Sequence, residues 1–167
     1  MTLDATQLQR AHFNRIADWY RDARSGGNHV VLRDLIWREV LSRGVLPADR
    51  TLRVMEPMCG YADGYEILSR YGARPIEYAG FDYSDRIVSE LKARRPDLDV
   101  VQADVTAYRP APASADVVIL IGGLHHVPDR AGDVVAALAP ALSPGGLFVN
   151  FEPTNGNPLF RRIRERV

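Results

Sequence analysis

The segment Thr51-Leu-Arg-Val-Met-Glu-Pro-Met-Cys-Gly-Tyr-Ala-Asp-Gly64 constrains this chain more than any other. An apolar run ending in Glu56 reads as a buried strand. A tight turn centred on Gly60 follows, and a helical pattern opens near Asp63, carrying Ile67, Leu68 and Tyr71. Strand, acid, glycine turn and helix, in that order, are how an α/β sheet presents a nucleotide-like ligand at its carboxyl edge. Glu56 narrows the choice. A pyrophosphate wants backbone N–H groups and the positive end of a helix, and a carboxylate at the mouth of the turn repels it. A cationic ligand with an adenosyl body fits that mouth better.

From residue 51 onward the chain alternates. The patterns predict strands over 51–56, 77–82, 98–102, 115–121 and 146–152, and helices over 63–71, 84–94 and 130–141. Ser84 is placed to cap the orphan N–H groups of the second of these helices. The run over 115–121 is apolar after Asp116, as a central strand covered on both faces should be. The link over 103–114 holds Pro110 and Pro112 and reads as a loop. Two further helices are expected before the first strand, near 4–23 and 29–42, separated by Ser25-Gly-Gly27. The expected fold is therefore α/β: a doubly wound, Rossmann-like, mostly parallel sheet of about five strands with an N-terminal helical cap. The cap is assigned to residues 1–47 and the ligand-binding core to 48–167.

Composition excludes several classes. The 21 basic and 21 acidic side chains balance, which gives no whole-domain attraction to a polyanion. The single cysteine, Cys59, excludes an internal disulfide framework and suits a reducing compartment. The first residues lack the basic start and apolar run of a signal peptide, and no stretch approaches the ~20 apolar residues of a membrane helix. A cytoplasmic location is expected. Lys92 is the only lysine among many arginines, which hints at a GC-rich bacterial genome.

Parallel topology brings the ends of four strands to one edge. They carry Glu56 with the Gly60 turn, then Phe81-Asp82-Tyr83, then Ala103-Asp104-Val105, then Gly122-Gly-Leu-His-His126. A carboxylate after the second strand can accept from both hydroxyls of a ribose, and Asp104 from an exocyclic amine. Tyr83 and Val105 offer an aromatic and an apolar face. Gly122 and Gly123 remove bulk where a ligand approaches the backbone.

These residues resemble the class I S-adenosylmethionine-dependent methyltransferases, over 51–152 and more loosely before it. The resemblance implies that Glu56 to Ala62 hold the methionine part, that Asp82 binds the ribose with Tyr83 beside the adenine, and that Asp104 and Val105 flank its amine. Leu124-His-His126 and Leu142-Ser-Pro-Gly-Gly146 match further family turns. Phe13-Asn-Arg-Ile-Ala-Asp-Trp-Tyr20 is similar to a family helix whose aromatic, here Tyr20, closes over the cofactor. Two departures stand out. The family turn has three alternate glycines, and here Met58 and Ala62 replace the outer two. The family sheet ends in a hairpin after strand five, whereas this sequence continues through Pro153-Thr-Asn-Gly-Asn-Pro158 to a helix start at Leu159. Either the sequence is cut short of that hairpin, or a second chain or another copy is expected to cover the edge of strand five.

The implied activity is methyl transfer from S-adenosylmethionine to an O or N nucleophile of a small molecule. Tyr20, Glu56, Met58, Gly60, Asp82, Tyr83, Asp104, Val105 and Gly122 are the cofactor candidates, and His126 is the candidate general base. Each has a structural reading beside the functional one: Glu56 and Asp82 as caps of the helices that follow, Asp104 as the start of a turn. A metal at His125 and His126 is disfavoured, because neighbours on a strand diverge and no acidic or Cys motif accompanies them. Competing readings are a catalytically weak methyltransferase-like partner subunit and a nicotinamide-dependent oxidoreductase. The oxidoreductase lacks its Gly-x-Gly-x-x-Gly. The turn after strand four lacks the Asn/Asp-Pro-Pro-aromatic pattern of many nucleic-acid base methyltransferases, which favours a small-molecule acceptor.

Overall fold

A computed structural model describes residues 5–46, 50–72 and 75–152. Strands β1 (Leu52–Pro57), β2 (Ile76–Asp82), β3 (Asp99–Gln102), β4 (Ala115–Ile121) and β5 (Leu142–Phe151) form one sheet. Its order is β3-β2-β1-β4-β5, and every pairing is parallel. The helices are α1 (Ala5–Ser25), α2 (Gly27–Leu41), α3 (Asp63–Tyr71), α4 (Asp85–Arg94) and α5 (Ala131–Leu138). Strand order reverses between β1 and β4. That switch point opens a crevice at the carboxyl ends of the strands.

The period-two alternation of the central strands makes two cores. Val54, Val117 and Ile119 point to one face, where Trp37, Ile67, Leu68 and Leu91 meet them. Met55, Val118 and Leu120 point to the other, against Val134, Leu138 and Ala141. Residues 115–120 are buried on both faces, which accounts for their continuous apolar run. Ser84 caps α4 as expected, its Oγ accepting from the N–H of Ile87 at 3.1 Å.

Several boundaries differ from those expected. The break between α1 and α2 is confined to Gly26. The helix over 130–141 shortens to α5 between two 3-10 turns, because Pro140 has no N–H to continue it. β5 begins at Leu142, with Pro-Gly-Gly inside the strand where the register slips between Ala115 and Val117. The helix start at Leu159 lies outside the described residues. No helix among the described residues is long and apolar enough to cross a membrane.

Polar contacts seat α1 over the carboxyl edge. Arg86 donates to the Asn14 carbonyl at 2.8 Å and to Asp18 at 2.7 Å, and Arg10 pairs with Asp85 at 2.9 Å. Asn14 also donates to Asp85 at 2.9 Å. These groups are largely solvated, so each contributes little alone.

At the opposite edge, Asp116 is buried at the start of β4. It accepts from Arg53 Nη2 at 2.9 Å, the Arg53 backbone N–H at 3.1 Å and Arg50 at 3.0 Å. The Arg53 guanidinium holds its pKa down, at about 2. A depressed carboxylate stabilises the fold above its unfolded pKa and ceases to do so as pH falls through the folded value. Asp116→Asn should cost about 2 kcal/mol at pH 7, with the gap to wild type closing between about pH 4 and pH 2. Thermal melts across that range measure it, and a pH-independent gap would contradict the ion-pair assignment.

Candidate functional site

The turn after β1 is built from left-handed backbone at alternate positions. Met58, Gly60 and Ala62 have φ of 53°, 52° and 65°. These are the three places where glycine is the residue of least strain, and two of them carry side chains. The turn is held from several sides. Cys59 N–H donates to the Phe81 carbonyl at 3.0 Å, and Gly60 N–H donates to Asp82 Oδ2 at 3.0 Å. Glu56 holds it from behind: Oε1 accepts from Gly64 N–H at 2.7 Å, and Oε2 from Tyr65 N–H at 3.1 Å and Tyr78 Oη–H at 2.8 Å.

Of the two readings of Glu56, the geometry is that of the helix cap. The residue is 1% exposed and points into the protein, capping α3 instead of facing a ligand. Burial pushes its pKa up to about 8, against the three hydrogen bonds that favour the ionised form. It lies behind the turn and not at its mouth, so its charge does not face a pyrophosphate there. The exclusion has another cause: two N–H groups of the first turn of α3 are already occupied, and a phosphate finds no open helix N-terminus there.

In front of the turn lies a cleft of about 650 Å³. Its walls include Met58, Gly60, Asp82, Tyr83, Asp104, Val105, Gly122 and His126, so eight of the residues expected at the site meet there. Asp82 spends one hydrogen bond on each oxygen, Oδ2 on Gly60 and Oδ1 on the Ser84 N–H at 2.9 Å. Desolvation raises its pKa, opposed by the Ser84 and Gly60 N–H groups. Asp104 Oδ1 accepts from the Thr106 N–H and Oγ1–H, both at 2.8 Å, which closes the turn after β3. Tyr20 falls in α1, and its side chain lies outside the described residues.

Three participants were not picked out from sequence. Arg10 and Phe13 of α1 also line the cleft. The Arg10 guanidinium lies 5.5 Å from the Tyr83 ring centre, and the Phe13 ring meets His126 edge-on at 4.8 Å. Glu152, just past β5, organises the loop after β4. Oε1 accepts from the N–H groups of Gly123 at 2.8 Å and Leu124 at 2.7 Å, and Oε2 from His125 Nδ1 at 2.9 Å. Burial works to raise the Glu152 pKa, but His125 and these N–H groups outweigh it and leave it lowered. The rule that found Asp82, an acid at the end of a parallel strand, also applies to Glu152. Arg10 and Phe13 carried no comparable signal, because helix-face residues reveal their neighbours only after docking.

Residues 54–146 match the methyltransferase domain family. A trans-aconitate 2-methyltransferase of Paracidovorax citrulli is 31% identical over 131 residues, which cover 76% of this chain and 48% of that protein. A protein of Mycolicibacterium smegmatis described as a "probable S-adenosylmethionine-dependent methyltransferase" is 29% identical over 113 residues, 64% of this chain and 42% of that one. The chain thus spans less than half the length of these curated relatives. Among solved structures, an S-adenosylmethionine-dependent methyltransferase from Mesorhizobium loti superposes with a TM-score of 0.57 at 25% identity, covering 71% of this chain and 53% of that one.

Two predictions follow from the turn. A carboxylate whose folded pKa is raised contributes stability that is complete below its unfolded pKa and lost as pH rises through the folded value. Melting temperature should therefore fall between about pH 5 and pH 8 in wild type and fall less in Glu56→Gln. Equal slopes would show that Glu56 is ionised throughout. The second concerns Met58. A Cβ on Gly123 would lie 2.9 Å from Met58 Sδ and 2.8 Å from Leu120 Cδ2. Gly123→Ala should cost about 1–3 kcal/mol by overpacking, and less in a Met58→Gly background. Urea midpoints of the four proteins give the coupling, and additivity would contradict the contact.

Proposed function

We propose that this chain, which belongs to the methyltransferase domain family, moves a methyl group from S-adenosylmethionine to an oxygen or nitrogen nucleophile of a small molecule. The observation that carries this reading is the cleft at the switch point. It sets two carboxylates, an aromatic ring and apolar walls around backbone that is bare at Gly60, in the turn after β1, and at Gly122, at the end of β4. That set suits an adenosyl group. Each Asp82 oxygen keeps acceptor capacity for a ribose hydroxyl. Asp104 Oδ2 carries no hydrogen bond among the described residues and is free to accept from the adenine amine. Val105 and Ile87 are apolar surfaces for the purine, with Tyr83 beneath Arg10 at its rim.

When bound, S-adenosylmethionine supplies an electrophilic methyl on a sulfonium, so the protein's task is positioning rather than covalent catalysis. Cys59 fits that division. It is buried, and burial pushes its thiol pKa well up, so it is no nucleophile. Glu56 acts at one remove, as the cap that shapes the turn. Met58 narrows the methionine end of the cleft, and Tyr20 is assigned to closing over it. His126 takes the proton lost by a hydroxyl or amine acceptor, with Phe13 and the His125 ring fixing its plane. Within the division into a cap of 1–47 and a core of 48–167, α1 is the part that excludes water over the cleft. The name of the P. citrulli relative supports a small-molecule acceptor.

Isothermal titration with S-adenosylhomocysteine tests the reading. Wild type should bind, and Asp82→Asn, titrated at a temperature where its melt shows it folded, should bind about 10- to 100-fold more weakly. A folded wild type that shows no heat at millimolar ligand would contradict it.

A further inference from the structure

A second cavity, of about 350 Å³, lies on the other side of the end of β4. Trp37, Ile67, Ile121 and Phe151 give it apolar walls, and Arg33 with Asp63 makes its polar corner. Ile121 faces this cavity while Gly122, the next residue, faces the first cleft. The partition between them is thus the tip of one strand. Gly122 has a φ of 64° and no side chain to close the way past it.

Arg33 is the informative residue. Its side chain is 18% exposed, and its Nε is buried without a hydrogen-bond partner among the described residues. Nη1 lies 3.8 Å from Asp63 Oδ1, within ion-pair range but beyond a hydrogen bond. Asp63 also sits in the first turn of α3, where the positive end of the helix favours a carboxylate without Arg33. Among the described residues this guanidinium therefore keeps a donor with nothing to donate to, which folded proteins rarely leave so. The group that best matches a guanidinium fork is a carboxylate, through two parallel N–H···O bonds.

We infer that this cavity is the acceptor subsite, and that it takes a small carboxylate with an apolar body, gripped by Arg33 and lying against Trp37 and Phe151. The inference rests on the methyl-transfer reading for its use, but the carboxylate site stands or falls on its own binding. The carboxylate of the cofactor's methionine part is the other source of the same chemistry, and the experiment separates the two.

The chain has two tryptophans, and Trp19 is 68% exposed, so Trp19→Phe leaves Trp37 as the reporter inside the cavity. That protein is titrated by fluorescence with phenylacetate and with phenylacetamide, alone and with Arg33→Gln or Arg33→Lys. The same samples are titrated calorimetrically with S-adenosylhomocysteine. The expected result is phenylacetate binding about 10-fold or more tighter than the amide. Arg33→Gln should abolish that preference and Arg33→Lys keep part of it, because an ammonium retains charge but not the fork. Affinity for S-adenosylhomocysteine should change by less than about twofold in both variants, the two sites being separate. Equal affinity for acid and amide, or binding of neither, would overturn the carboxylate site. A loss of S-adenosylhomocysteine affinity in folded Arg33→Gln and Arg33→Lys would assign the cation to the cofactor and overturn the acceptor role. A wild type that prefers phenylacetate yet ignores S-adenosylhomocysteine would keep the carboxylate site and sink the methyl-transfer reading instead.

Discussion

One buried carboxylate ties the carboxyl edge of the sheet together. Glu56 ends β1, accepts the second and third N–H groups of α3, and accepts the Tyr78 hydroxyl from β2. Without those bonds the first turn of α3 would bury two orphan donors, and the left-handed steps at Met58, Gly60 and Ala62 would lack an anchor. Gly64 shows how tight the arrangement is, since a Cβ there would lie 2.8 Å from the Glu56 carboxyl carbon and from Ile119. The burial that makes Glu56 a good cap also turns it away from the cleft, leaving the front of the turn to backbone N–H groups and Asp82.

The same device recurs around the edge. Asp82 ties the Gly60 turn to the start of α4, Asp104 closes the turn after β3, and Glu152 gathers the N–H groups after β4. Each acid sits just after a strand and satisfies backbone donors that a parallel sheet leaves open where its strands stop. What separates them is how much capacity remains. Glu56 is fully engaged and buried, whereas Asp82 and Asp104 keep lone pairs toward the cleft. A rigid polar edge of this kind can hold a ligand with little reorganisation, which is what positioning catalysis requires. At the far edge Asp116 holds β1, β4 and β5 together through Arg53 and Ser143, away from the chemistry.

Much of this was legible in the residues because strands and their ends carry strong local signals. The apolar run over 115–121 could only be a central strand, and α3 begins and ends at the residues its periodicity indicates. Ser84 announced its cap. The acids at strand ends marked the cleft, but sequence could not tell which of them turn outward. Glu56 and Asp82 have the same kind of position, and only the packing of Tyr78 and α3 sends one inward. The Pro-Gly-Gly stretch resembled a turn before a strand because local propensity ignores a bulge imposed by pairing with β4. Arg10, Phe13 and Arg33 were hidden for a different reason: their meaning comes from where α1 and α2 dock, and an amphipathic pattern does not encode that.

A crystal structure of the protein with S-adenosylhomocysteine tests the division of labour between the acids most directly. The predicted result is a ribose within hydrogen-bond distance of Asp82, an adenine against Val105 with its amine toward Asp104, and Glu56 still bonded to Gly64, Tyr65 and Tyr78 with no ligand atom in reach. A ligand held by the Glu56 carboxylate, or seated away from the switch-point cleft, would contradict it.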